Sequence, residues 1–178
     1  MANIFLCSDH HLGHVGMITF TRQDGTPLRG FSSIEEHDEY LIEQHNKVVS
    51  KNDKVYYLGD VTFSKKNLYL VQRMNGDKVL IKGNHDTLAL KDYLPYFRDI
   101  RGFHQFDGMC LTHVPIHPDS LARWKICVHG HLHANRVMTA FGGKVDERYQ
   151  SVCMEQLDDY TPISLEELKF KIKNLDLI

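Results

Sequence analysis

Along this chain the apolar residues fall into short runs that break off at polar clusters. Ile4-Phe5-Leu6-Cys7 runs into Asp9-His10-His11, Val55-Tyr56-Tyr57-Leu58-Gly59 into Asp60, and Val79-Leu80-Ile81-Lys82-Gly83 into Asn84-His85-Asp86. Met109-Cys110-Leu111-Thr112 runs into His113, and Ile126-Cys127-Val128 into His129-Gly130-His131-Leu132-His133. Short continuous apolar runs bounded by turn residues predict buried strands, here over 3–8, 54–58, 78–82 and 125–129, with a hairpin over 103–112 turned at Asp107-Gly108. Ser32-Ser33 followed by Glu35-Glu36 is a capping-box pattern, and it predicts a helix to about Val49 with Ile34, Leu41, Ile42, His45 and Val48 near one face. Further helices are predicted over 65–74, stopped by Asn75-Gly76, over 87–94 before Pro95, and over 165–174 behind the cap Ser164. A second hairpin is expected from Asn135–Phe141 and Lys144–Val152 around Gly142-Gly143. Strands alternate with helices early and form hairpins late, which predicts mixed rather than purely parallel sheet. Residues 9–31 read as a long irregular loop, a length that usually carries function.

At 178 residues a single domain over 1–178 is expected, long enough to bury a sizeable core. The apolar fraction of 42% and charged fraction of 25% are ordinary for a soluble globule. A net charge of −2 removes the global electrostatic case for a long nucleic acid or a membrane surface as partner. No apolar run approaches the ~20 residues of a membrane helix. The N-terminus has no basic region or cleavage site of a secretory signal, so a cytoplasmic location is expected. Cys7, Cys110, Cys127 and Cys153 mostly sit in strand-like runs and read as reduced core thiols; with no C-x-x-C among them, cysteine is not expected to ligate zinc.

Histidine changes the picture, because twelve in 178 residues is high and they cluster at the strand ends. Open α/β sheets bind their ligands at the carboxyl ends of strands. Asp9, His11, Asp60, Asn84, His113, His131 and His133 are too many ligands for one ion, and they suit two ions sharing a carboxylate. Asp60 is the candidate bridge, since it stands alone after its strand and offers two oxygens. Mixed imidazole and carboxylate donors fit two divalent transition-metal ions, Mn, Fe, Zn, Ni or Co, better than Ca or Mg.

In this order, Asp9-x-His11, Gly59-Asp60, Gly83-Asn84-His85-Asp86, His113 and Gly130-His131-x-His133 resemble the motif series of the calcineurin-like metallophosphoesterases, over about residues 3–135. The tail Tyr160–Leu168 is similar to that of small microbial members. The resemblance implies an α/β fold, a four-layer α/β/β/α sandwich with two mixed β-sheets. It implies that Asp9, His11 and His133 hold one ion, that Asn84, His113 and His131 hold the other, and that Asp60 bridges. His85 would be catalytic, stabilising charge or protonating the leaving group, with Asp86 aligning it. His14, Arg22 and Arg29 in the long loop are the candidate substrate contacts, and His129 is a candidate support for the ligands. The implied activity is a dinuclear metal-dependent phosphoesterase that breaks a P–O bond by attack of a metal-bridging hydroxide. Where the phosphoprotein-phosphatase branch carries Asp-Arg after the bridging Asp, this chain has Phe63-Ser64, so that branch's phosphate clamp is missing. The missing clamp, and a chain too short for a cap domain, favour a phosphodiesterase on a nucleotide-like phosphoester. A phosphomonoesterase on nucleotides or small phosphorylated metabolites, and a non-catalytic partner-binding scaffold, are the alternatives.

Overall fold

The computed structural model describes residues 2–140 and 143–175. Strands β1 (Ile4–Cys7), β2 (Lys54–Tyr57), β3 (Asp77–Ile81) and β4 (Asp99–Arg101) run parallel, and β9 (Ile163–Ser164) lies antiparallel beside β1, giving the order β4-β3-β2-β1-β9. The second sheet has the order β5-β6-β7-β8, from His104–Phe106, Met109–Leu111, Ile126–His129 and Tyr149–Ser151. In it β5 and β6 form the expected hairpin, while β6, β7 and β8 are parallel. Both sheets are therefore mixed.

Alternation along the strands sets the layers, because successive side chains point to opposite faces. Phe5, Cys7, Val55, Tyr57 and Leu80 face α2 (Ile34–Val48) and α3 (Leu68–Arg73), where Leu41, Ile42, Leu68 and Val71 close the outer core. Leu6, Tyr56, Val79 and Ile81 face the second sheet and meet Met109, Leu111, Ile126 and Val128. The outer face of the second sheet, Cys110, Cys127 and Tyr149, is covered by Leu121 of a 3-10 turn, Pro118–Arg123, with Ile116 and Trp124. The molecule is thus a four-layer sandwich whose fourth layer is thin. Helix α5 (Leu165–Lys173) is not in that layer; its Leu168 and Ile172 plug the inter-sheet core beside β9.

Local signals act as read. Ser33 caps α2, its Oγ accepting from the Glu36 amide at 3.1 Å, and Ser164 does the same for Glu167 at 3.1 Å. The long loop holds one short helix, α1 (Gly16–Thr19), and another, α4 (Leu90–Tyr93), precedes Pro95. The second expected hairpin shrinks to one antiparallel bridge, Met138 to Val145, and Tyr149–Ser151 instead joins β7 in parallel. Phe141 and Gly142 of its expected turn lie outside the described residues. Among the described residues no helix is long and apolar enough to cross a membrane.

The two sheets meet where the functional loops begin. The Ser8 amide donates to the Val152 carbonyl at 2.8 Å, the Asp9 amide to Gly59 at 2.9 Å, and the Gly130 amide to His113 at 2.9 Å. The carboxyl ends of β1, β2, β6, β7 and β8 are tied into one rim by these bonds.

Candidate metal centre

At that rim two sets of ligand atoms gather, Asp9 with His11 and His133, and Asp60 with His113 and His131, each set within 4.8 Å. All six side chains are buried or half-buried. Asp9, His11, Asp60, His131 and His133 all have left-handed backbones, with φ of 59°, 50°, 55°, 71° and 51°. Such backbone is uncommon away from glycine, Asp and His tolerate it better than most residues, and it concentrates at functional sites. Each strand ends in a sharp reversal that turns its side chain toward the shared centre.

Two glycines make room for the reversals. A Cβ on Gly59, whose φ is +91°, would lie 2.5 Å from His113 Nδ1 and 2.6 Å from the Gly83 amide nitrogen. A Cβ on Gly83 would lie 2.6 Å from the Asp60 nitrogen. The β2 and β3 loops therefore touch backbone to backbone.

The first set has free donor atoms. Asp9 Oδ1 and both ring nitrogens of His11 are buried without a hydrogen-bond partner. His11 Nε2 and His133 Nε2 lie 3.8 and 3.9 Å from Asp9 Oδ1, too far for hydrogen bonds. Two ligands of one ion, each at about 2.0–2.2 Å from it, stand roughly 3–4 Å apart. The other Asp9 oxygen is fully engaged, accepting from Ser8 Oγ, from the His131 amide at 2.9 Å and from Cys153 Sγ at 3.1 Å. In the second set His113 donates Nδ1–H to the Leu58 carbonyl at 2.7 Å, and its Nε2 lies 2.9 Å from Asn84 Oδ1 and 3.2 Å from Asp60 Oδ2. Asn84 thus joins the second set. The donor types and spacing of both sets, with the buried orphan atoms of the first, fit divalent transition-metal ions.

Electrostatics follow the crowding. Burial would raise Asp60, but the His113 hydrogen bond and charge outweigh it and hold the carboxylate low. Burial would lower His113 and His133, yet Asp60 and Glu155 respectively raise them. His11 and His131 are lowered, chiefly by burial.

His85 is exposed at the rim, its backbone N–H donating to Asp60 Oδ1 at 2.9 Å. Phe63 sits between the rim histidines, its ring 4.5 Å from both His14 and His85 and 5.3 Å from His11. The sequence marked Phe63 only as a departure, although it lines the site. His129 is buried, its Nδ1 2.7 Å from the Gly130 carbonyl, at the base of the His131 turn.

Two expectations are corrected. Asp86 does not align His85; its buried carboxylate accepts from the amides of Asp60, Val61 and Gly83 at 2.7, 3.0 and 2.9 Å, bracing the two loops together. Arg29 does not face substrate. It is 1% exposed behind the site, paired with Glu155 at 2.8 Å and donating to the carbonyls of Asp9 and His10. Arg22 lies exposed and folds back on its own loop toward the Leu28 carbonyl at 3.5 Å. Glu155 went unnoticed in the sequence because it lies in a 3-10 turn, Met154–Gln156, outside every motif.

No family model matches the chain. Against solved structures it resembles the protein of unknown function AQ665 from Aquifex aeolicus, at a TM-score of 0.70 and 25% identity over 96% of this chain and 100% of that one. A Vps29 single mutant from Entamoeba histolytica, at a TM-score of 0.41 and 14% identity over 83% of this chain and 72% of that one, is too slight a likeness to carry an argument. The Gene 66 protein of Mycobacterium phage L5 is 25% identical over 78% of this chain and 81% of its own length. The uncharacterized protein MJ1445 of Methanocaldococcus jannaschii is 32% identical over 100% of this chain and 90% of its own length. With that identity sustained from end to end, the chain belongs to the family of MJ1445.

Proposed function

We propose that the chain is a dinuclear metal-dependent phosphoesterase that acts on phosphodiesters. The observation that carries this reading is the reach of Asp60, whose Oδ2 lies 3.8 Å from His11 Nε2 in one set and 3.2 Å from His113 Nε2 in the other. A carboxylate within reach of both sets is what two ions about 3.5–4 Å apart require. Asp9, His11 and His133 would hold one ion, Asn84, His113 and His131 the second, and Asp60 would serve both. Ions bound there supply Lewis acidity toward a phosphoryl oxygen and bring the ionisation of water toward neutral pH.

The chain's own residues supply the rest. His85, anchored through its amide to Asp60, keeps its ring free at the exposed rim. There it hydrogen-bonds the charged phosphoryl oxygens and gives a proton to the leaving group. Phe63 and the 51%-exposed Phe20, with the His14 ring between them, form an apolar shelf beside it. That shelf suits the organic arms of a diester, and an aromatic base of a nucleotide-like diester would stack there. A monoester dianion would want a guanidinium clamp, and Arg29 is buried with its charge committed to Glu155.

The test compares bis-p-nitrophenyl phosphate with p-nitrophenyl phosphate, using chelator-stripped protein resupplied with Mn, Ni, Zn or Mg and Asp60→Asn as the control for contaminating phosphatase. The expected outcome is metal-dependent turnover that favours the diester and disappears in Asp60→Asn. Faster monoester hydrolysis would replace this reading with the phosphomonoesterase. Turnover that survives chelation would end the metal mechanism.

A further inference from the structure

Beneath the Asp9–His11 turn lies another cluster of ligand-type side chains, distinct from both sets above. Cys7 Sγ and one nitrogen from each of the His10 and His45 rings lie within 4.8 Å of one another. The three residues come from the last position of β1, the turn beyond it, and the sheet-facing side of α2. Each is no more than 1% exposed. The Tyr57 ring stands beside both imidazoles, 5.0 Å from His10 and 5.9 Å from His45.

Each imidazole keeps one nitrogen idle. Nδ1 of His10 and Nδ1 of His45 are buried with no hydrogen-bond partner, and each such orphan costs about 1–3 kcal/mol. Nε2 of His45 lies 2.9 Å from the Asn75 carbonyl. A carbonyl only accepts, so Nε2 carries the proton and Nδ1 keeps its lone pair. Metal-ligating histidines are held in this way, one nitrogen donating to a carbonyl and the other left for the ion.

We propose that Cys7, His10 and His45 form a third metal site, for a thiophilic closed-shell ion, zinc(II) or copper(I), that pins α2 to the end of β1. The site is independent of the phosphoesterase reading. One thiolate and two imidazoles without a carboxylate are a softer donor set than the two at the rim, and select accordingly. An ion at about 2.3 Å from sulfur and 2.0–2.1 Å from nitrogen draws its ligand atoms to roughly 3.5 Å of one another. Side-chain rotations supply that contraction. Binding takes Cys7 as the thiolate and releases its proton to solvent. The missing C-x-x-C spacing argued against cysteine ligation, but that spacing marks sites built from one local loop, and this one is assembled by tertiary contact.

Chelator-stripped full-length protein is titrated with cobalt(II), as the spectroscopic stand-in for zinc(II), and separately with copper(I) in competition with a chromogenic copper(I) chelator. The rim sets contain no thiolate ligand, so a thiolate-to-cobalt charge-transfer band in the near ultraviolet reports on this site. The expected result is such a band with the intensity of one cobalt–thiolate site per chain, saturating by three equivalents because the two rim sets also take cobalt, or one equivalent of copper(I) withheld from the chelator. Either signal should vanish in Cys7→Ser and weaken at least tenfold in affinity in His45→Gln. It should persist in Cys153→Ser, the control needed because Cys153 Sγ lies 3.1 Å from Asp9 Oδ2. Wild-type protein with neither signal would overturn the proposal whatever the variants do. So would a signal that survives Cys7→Ser or disappears in Cys153→Ser.

Discussion

Glu155 Oε1 lies 2.9 Å from Nδ1 of His133. The carboxylate accepts the Nδ1–H and leaves Nε2 facing Asp9 Oδ1 at 3.9 Å. The same oxygen pairs with Arg29 at 2.8 Å, and Arg29 holds the carbonyls of Asp9 and His10. One buried carboxylate therefore fixes the ring of one candidate ligand and the backbone of another.

Glu155→Gln should weaken one of the two rim metal sites by about 10–100-fold, the usual cost of losing a ligand's hydrogen-bonded support. Calorimetric titration of the stripped protein resolves the sites. An unchanged isotherm would remove Glu155 from the metal centre.

His85→Ala should leave metal content at the wild-type value and lower kcat on an unactivated diester by about 10²–10⁴-fold, the range for a positioned proton donor. The loss should be smaller on a p-nitrophenyl ester, whose leaving group needs no proton. Elemental analysis and paired kinetics check both halves; wild-type turnover on the unactivated substrate would assign the chemistry elsewhere.

Gly59→Ala should destabilise the fold by more than about 2 kcal/mol, because a methyl group meets Gly83 backbone at 2.6 Å on a residue whose φ is +91°. Gly25→Ala is the comparison. Its φ of +84° is similarly strained but nothing lies within 4 Å, so its cost should be that of backbone strain alone. Urea midpoints measure the difference, and equal costs would mean that the close approach is relaxed at no expense.

The metal-free protein should lose stability in mild acid. Burial lowers His45 from 6.5 to about 4. Its unfolded form therefore takes up a proton first, and stability present above pH 6.5 is lost as pH falls toward 4. The full loss is roughly 3 kcal/mol. Burial also lowers His37, which acts in the same sense. Urea unfolding of stripped wild type and His45→Gln across this range checks it; the variant should show the shallower slope.

The strand ends were legible because each joins two strong signals, an apolar run and a polar cluster that has no business in a core. The capping serines, Ser33 and Ser164, were legible because a cap is decided within four residues. What failed depended on distance. Arg29 reads as a candidate substrate contact in a loop until the fold sets Glu155 beside it from 126 positions away. Asp86 sits next to His85 in sequence, and only the approach of the β2 loop turns it toward the Asp60 and Val61 amides. Strands β4 and β9 have three and two residues and no period to detect. The Cys7, His10 and His45 cluster is of the same kind, since no spacing in the chain announces that α2 delivers His45 over β1.

Strand β9 pairs with β1, Phe5 opposite Ser164 and Leu6 opposite Ile163. Synthesis runs from β1 toward β9, so the strand that leads into Asp9 and His11 waits with one edge bare until β9 emerges. A nascent chain can fold β1, β2 and β3 together early, while the ligand turn beyond β1 still lacks Val152, Glu155 and the β9 edge. Truncations that stop just short of Ile163 keep every candidate ligand but bare the β1 edge, and should accordingly weaken metal binding while keeping most of their helix content.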